Sequence, residues 1–149
     1  MNNDSTYSMI DIVGLDHIVL RTTQSKQMIE FYCHVLGCKV ERELLDLGLT
    51  QLRAGSALID IVDVNSPLGE KGGAAPSADG RNLDHFCLCI TAKPEADILQ
   101  YLKQHNVELS DFQQRYGAEG FGRSIYIEDP EKNTVELKFK IKTDGNAEE

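Results

Sequence analysis

One nine-residue segment occurs twice in this chain. Leu15-Asp16-His17-Ile18-Val19-Leu20-Arg21-Thr22-Thr23 and Leu83-Asp84-His85-Phe86-Cys87-Leu88-Cys89-Ile90-Thr91 share Leu, Asp, His, Leu and Thr in register, with His85 68 positions after His17. An internal repeat constrains a fold more than any single motif does, because each copy marks one supersecondary unit. Both copies are rich in apolar and β-branched residues and read as strands.

The repeat extends beyond these strands. Residues 25–36 and 94–104 carry apolar side chains at helical spacing: Met28, Ile29, Tyr32, Val35 and Leu36 in the first, Ile98, Leu99 and Leu102 in the second. Thr23 or Ser25 suits the start of the first helix and Gly37 its end, and Pro94 suits the first turn of the second. Short strand-like runs come next, at 39–45, 49–53 and 57–64 in the first half, and at 107–110, 123–128 and 134–141 in the second. Each half therefore reads strand, helix, strand, strand, strand. The expected fold is α+β, with two βαβββ modules, 14–64 and 83–142, paired into a cup-shaped mixed sheet. The Gly-, Pro-, Ala- and Ser-rich stretch 65–82 joins them. Residues 1–9 and 143–149 read as polar tails. A half of this size cannot bury a sheet face alone, so the 149 residues are expected to form one domain around a shared core.

Composition narrows the partners. The chain is 41% hydrophobic and 26% charged, with a net charge of −9. That acidic balance excludes nucleic acid, which needs a basic footprint, and an anionic membrane surface. No run reaches the roughly 20 apolar residues that span a bilayer. The start of the chain lacks the basic and apolar regions of a signal peptide, so a cytoplasmic location is expected, with Cys33, Cys38, Cys87 and Cys89 as thiols.

Alternation along a strand puts i, i+2 and i+4 on one face. His17 then shares a face with Leu15, Val19 and Arg21, and His85 with Leu83, Cys87 and Cys89. Each module's last strand adds a carboxylate. Asp60 sits inside Leu58-Ile59-Asp60-Ile61-Val62, where a charge is costly unless paired or bound to a metal. Glu136 faces away from the stripe of Val135, Leu137 and Phe139. Two histidines and two carboxylates suit a divalent ion (Ni, Co, Zn, Mn or Fe), with positions left for water or substrate. Simpler readings stand beside this one. A strand histidine is commonly a hydrogen-bonded core residue, and Asp60 fits a buried carboxylate without metal. Lys138 and Lys140 share the Glu136 face, as on a solvated strand. Cys87 and Cys89 read as small core residues rather than soft ligands. The glycine-rich stretch 111–122 reads either as a surface loop or as a lid bringing Tyr116 or Phe121 over the site.

These residues resemble the vicinal-oxygen-chelate superfamily, and within it glyoxalase I-like (lactoylglutathione lyase) chains. The matching pieces are Leu15-Asp16-His17-Ile18-Val19-Leu20, Phe31-Tyr32-Cys33-His34-Val35-Leu36-Gly37, Leu83-Asp84-His85, and Ser124-Ile125-Tyr126-Ile127-Glu128-Asp129-Pro130 running to Asn133-Thr134-Val135-Glu136-Leu137. The resemblance implies the paired βαβββ fold and a divalent metal at His17, Asp60, His85 and Glu136. Glyoxalase I carries Glu where this chain has Asp60, so a triad of His17, His85 and Glu136 is the alternative. By the same resemblance, Arg21 and Arg81 fall where basic residues hold the carboxylates of a glutathione adduct. The family's Asn four residues after the second ligand is Val64 here, with Asn65 next. The implied activity is a lyase or isomerase acting on a hemithioacetal, with Glu136 as principal base and Asp60 as second carboxylate, in a homodimer. The alternatives are an Fe-dependent dioxygenase, an antibiotic thiol transferase, and a metal-free protein that sequesters a small ligand. The sequence leaves open whether the site forms within one chain or between two.

Overall fold

The computed structural model describes residues 8–142. The expected tails at 1–9 and 143–149 therefore lie largely outside the described residues. Eight strands form two four-stranded mixed sheets. The first holds β1 (His17–Thr22), β2 (Lys39–Leu44), β3 (Leu49–Ala54) and β4 (Ala57–Asp63), in the order β1-β4-β3-β2. The second holds β5 (Phe86–Ile90), β6 (Gln113–Gly117), β7 (Gly120–Glu128) and β8 (Thr134–Phe139), in the equivalent order β5-β8-β7-β6. In each, the first strand runs parallel to the last and the other pairs are antiparallel. The repeat is thus one topology built twice. The sheets are not hydrogen-bonded to each other, so β1 and β5, the histidine strands, both lie at sheet edges.

Helix α1 (Ser25–Glu30) continues into a π-helical turn, Phe31–Val35, and Gly37 closes it at φ +82°, a backbone setting that side chains with a Cβ avoid. Gln24 rather than Thr23 or Ser25 occupies the cap position, and its N–H bonds the Thr22 hydroxyl. Helix α2 (Glu95–Gln104) starts after Pro94 and is tied to β7 by a two-pronged contact of Arg123 with Glu95 at 2.7 and 3.1 Å.

Two expected elements differ. Residues 107–110 form only an isolated bridge, Leu109 to Ile127. The stretch 111–122 is instead mostly a β-hairpin, β6 and β7. Its glycines hid the alternation. Tyr116 and Phe121 stand opposite each other with their rings 5.0 Å apart. By alternation they occupy the sheet face away from Glu136, so in this chain they do not cover the site face.

Residues from both modules merge into one core: Leu20, Met28, Tyr32, Leu52, Ile59 and Ile61 from the first, with Leu102, Phe112, Ile125, Ile127, Val135 and Leu137 from the second. A buried polar network crosses the junction. The Tyr32 hydroxyl donates to Asp129 Oδ2 at 2.7 Å, while Asp129 also accepts from the Glu131 and Asn133 backbone and from the Asn133 amide. Thr22 donates to Glu131 at 2.5 Å. The Asp-Pro turn of the second module therefore fastens both the β1 end and the helix of the first module. Replacing Tyr32 with Phe removes one donor from a buried carboxylate. It is expected to cost about 1–2 kcal/mol, read as a lower urea midpoint at unchanged slope; an unchanged midpoint would show the network is not holding the modules together.

Candidate metal centre

The site residues lie on the faces opposite the core. In β4, Ile59 and Ile61 point inward, so Asp60 points outward; in β8, Val135 and Leu137 point inward and Glu136 outward. The strand register then fixes an equivalence that the sequence repeat only hints at. Asp60 is paired with Val19, two residues beyond His17, and Glu136 with Cys87, two residues beyond His85. Each module thus places one carboxylate diagonally beside one histidine.

Each histidine is held by its neighbour in sequence. His17 Nδ1 lies 2.7 Å from Asp16 Oδ1, and His85 Nδ1 lies 2.7 Å from Asp84 Oδ2. An ionised carboxylate only accepts, so Nδ1 carries the proton and a neutral ring presents the lone pair of Nε2. That is the arrangement in which metal-binding imidazoles are oriented by a carboxylate. The Asp-His dipeptide stands in both repeats, and the roles of Asp16 and Asp84 could have been read from it.

In the second module, His85 Nε2 lies 3.3 Å from Glu136 Oε1, so two donor atoms already converge. Glu136 is 6% exposed, not a member of a solvated face. The Tyr126 ring meets the His85 ring edge-on at 5.3 Å, and the Arg115 guanidinium lies 4.1 Å from the centre of the Tyr126 ring. In the first module, Asp60 is 4% exposed and held from one side. Arg42 donates to Gln51 Oε1 at 2.8 Å, and Gln51 Nε2 donates to Asp60 Oδ2 at 3.1 Å. Asp60 Oδ1 is buried without a hydrogen-bond partner among the described residues. An orphaned, buried carboxylate oxygen costs free energy unless something else satisfies it, and a cation does so. The donor set (two imidazoles each fixed through Nδ1, and two carboxylates) suits a divalent first-row ion. Each half therefore fits the ion implied by the sequence.

The two halves do not meet. Among the described residues, no three His, Cys, Asp or Glu side chains gather where one ion could bind. The reason is the shared core: the modules pack through their apolar faces, which turns both chemistry faces outward. Among the described residues the four expected ligands thus stand as two pairs, His17 with Asp60 in the first module and His85 with Glu136 in the second.

Arg21 and Arg81, expected at a substrate carboxylate, both carry hydrogen bonds within the chain. Arg21 donates to the carbonyls of Gly69, Gly73 and Ala74, and Arg81 to Asn133 Oδ1 and the Glu131 carbonyl. Both line one cleft beside β1, yet both guanidinium groups are engaged in fastening the 65–82 connection and the Asp-Pro turn. Cys87 and Cys89 are exposed on the site face, not in the core. Burial of the sulfur, and to a lesser degree the nearby Glu136 charge, pushes the Cys87 thiol up to about 11, so it stays protonated at neutral pH.

The chain belongs to the glyoxalase/bleomycin resistance protein/dioxygenase superfamily, whose family model matches residues 14–137. Among solved structures it is similar to virulence protein STM3117 from Salmonella typhimurium, at 25% identity and TM-score 0.68 over 89% of this chain and 100% of that one. It is similar to the fosfomycin resistance protein FosX from Listeria monocytogenes, at 21% identity and TM-score 0.65 over 88% and 96% of the two chains. It also resembles a lactoylglutathione lyase from Agrobacterium tumefaciens, at 17% identity and TM-score 0.62 over 86% and 94%. The expected family and paired-module fold are thereby established.

The His17 imidazole titrates above its ordinary 6.5, chiefly through the Asp16 hydrogen bond, which outweighs desolvation and is joined by the smaller effects of the Asp60 and Asp16 charges. NMR titration of metal-free protein should show this. Asp16→Asn should lower the midpoint, because a neutral amide favours the protonated ring less; an unchanged midpoint would remove Asp16 from the account.

Proposed function

We propose that this chain acts as a homodimer in which each ion site combines His17 and Asp60 of one subunit with His85 and Glu136 of the other, and that the site isomerises a small hemithioacetal in the manner of a glyoxalase I-like lyase. The observation that carries the reading is the pair of equivalent half-sites on outward faces. Three further features support a second copy. Both histidine strands are unpaired edges, which readily accept another strand. Met9, Ile10, Ile12, Val13 and Leu15 run exposed into β1, an apolar stretch that a partner would cover. A two-fold operation brings the first module of each copy to the second module of the other.

His17, Asp60, His85 and Glu136 would hold a divalent ion, which would supply Lewis-acid stabilisation of the charge that develops on the substrate. This chain's residues do the rest. Asp16 and Asp84 fix the tautomer and tilt of the imidazoles. Gln51, braced by Arg42, holds Asp60 Oδ2 and leaves Oδ1 for coordination. Tyr126 packs on His85 and keeps water from one side of it. Glu136, nearly buried, takes the proton from the carbon bearing the hydroxyl and returns it to the neighbouring carbon, while the hydroxyl proton passes to the former carbonyl oxygen, so protons balance and no redox partner is needed. Arg21 and Arg81 are assigned to the connection they fasten, which leaves recognition of the distal part of a thiol adduct to other residues.

Two experiments test this. Protein loaded with Ni, Co or Zn should convert hemithioacetal to thioester, and Glu136→Gln should lose about 10²-fold or more in kcat. Bound iron with oxygen uptake instead would move the assignment to a dioxygenase. For the shared site, His17→Ala and Glu136→Gln should each be inactive alone. After mixing, unfolding and refolding, half the dimers are mixed, and one of their two sites is intact. The mixture should regain about one quarter of wild-type activity. No regain would place all four ligands in one chain and contradict the shared site.

A further inference from the structure

We infer that the chain carries a second cation site, formed by His34 and His105 on the helix side of the molecule, which takes a borderline divalent ion such as Zn²⁺ and ties the two modules together. The two imidazoles belong to different modules. His34 sits in the π-helical turn Phe31–Val35, and His105 ends α2 at its C-terminal cap. They nonetheless line one cavity of about 350 Å³, together with Gln27, Glu30, Phe31 and Val35. Phe31 is part of the shared core and Val35 packs against it, whereas Asp60 and Glu136 face away from that core. The cavity is therefore separate from the candidate metal centre.

Tyr101 brings the two histidines to one place. Its hydroxyl donates to the carbonyls of His34 at 3.2 Å and Val35 at 2.7 Å, and its ring lies 4.5 Å from the His105 ring. His105 Nδ1 is 3.0 Å from the Tyr101 carbonyl. A carbonyl only accepts, so Nδ1 carries the proton and the neutral ring offers the lone pair of Nε2. A backbone carbonyl orients metal-binding imidazoles in this way. The His34 ring and the Glu30 carboxylate have no hydrogen-bond or ion-pair partner among the described residues, so both are available to the cavity.

The surroundings favour a cation. Leu36 caps the end of the first helical segment and His105 the end of the second, so both histidines stand at helix C-termini. Unsatisfied carbonyls leave partial negative charge there. Glu30, four residues before His34 and thus its neighbour on the helix surface, adds a full negative charge. Imidazole nitrogen suits Zn, Cu and Ni, whereas Mg and Ca prefer oxygen. Among the described residues no third ligand completes the set, so water fills the remaining positions and the ion exchanges. An ion that bridges the modules binds the folded chain alone and stabilises it by mass action.

This site does not rest on the proposed activity, so the test removes the other centre. Full-length His17→Ala/His85→Ala protein, treated with chelator, is titrated with Zn²⁺ and followed by calorimetry, histidine-ring NMR and melting temperature. Saturable binding of one ion per chain is expected, independent of protein concentration. The His34 and His105 ring signals should shift together, and the melting temperature should rise. The wild-type chain should show the same two ring responses. His34→Gln or His105→Gln in the double variant should weaken binding at least about tenfold, the loss that even an indirect partner of a ligand causes. Both side chains are exposed, so neither substitution opens the core. No saturable binding, one ion per two chains, a response from only one ring, or undiminished binding in either glutamine variant would overturn the site.

Discussion

The hydrogen bond from each histidine's Nδ1 to the aspartate before it is the interaction on which the site depends. At 2.7 Å in both modules, it engages Nδ1, turns Nε2 toward the carboxylate of the same module and holds the ring steady on an edge strand. Without it, an exposed imidazole would sample several orientations, and its lone pair would be shared between two tautomers. Because the pair is encoded as Asp-His in both repeats, the oriented imidazole occurs once in each module.

The core and the site pull in opposite directions. Burying two amphipathic sheets in one chain requires their apolar faces to meet, with Ile59 and Ile61 on one side and Ile125, Ile127, Val135 and Leu137 on the other. Alternation then sends Asp60 and Glu136 outward, each nearly buried by its own neighbours but away from the other. A four-ligand centre built on this plan calls for a second copy. The free edges of β1 and β5 and the apolar stretch before His17 are consistent with one arrangement, in which the same surface covers exposed apolar side chains and completes the ion site.

Much of this was legible in the residues. The repeat of Leu-Asp-His announced two equivalent modules, and alternation set Glu136 away from an apolar stripe; the strand register brings Asp60 and Glu136 beside the histidines. What stayed hidden depended on contacts across strands. Gln51 and Arg42 support Asp60 only because β2, β3 and β4 lie side by side in that register. The β6–β7 hairpin was masked by Gly117, Gly120 and Gly122, which read as loop residues although two of them make room for Lys138. Lys138 itself read as a solvated charge, because burial by neighbouring side chains on a non-core face leaves no periodic signal. Arg21 and Arg81 lie beside one cleft, but their guanidinium groups bond backbone carbonyls and the Asn133 amide oxygen, partners that spacing cannot reveal.

The most direct test of the shared centre is a crystal structure of the metal-loaded protein with the ion located by anomalous scattering. The account predicts an ion bound by His17 Nε2 and Asp60 Oδ1 from one protomer and by His85 Nε2 and Glu136 Oε1 from its partner. An ion held through Nδ1, or by both histidines of the same chain, would contradict it.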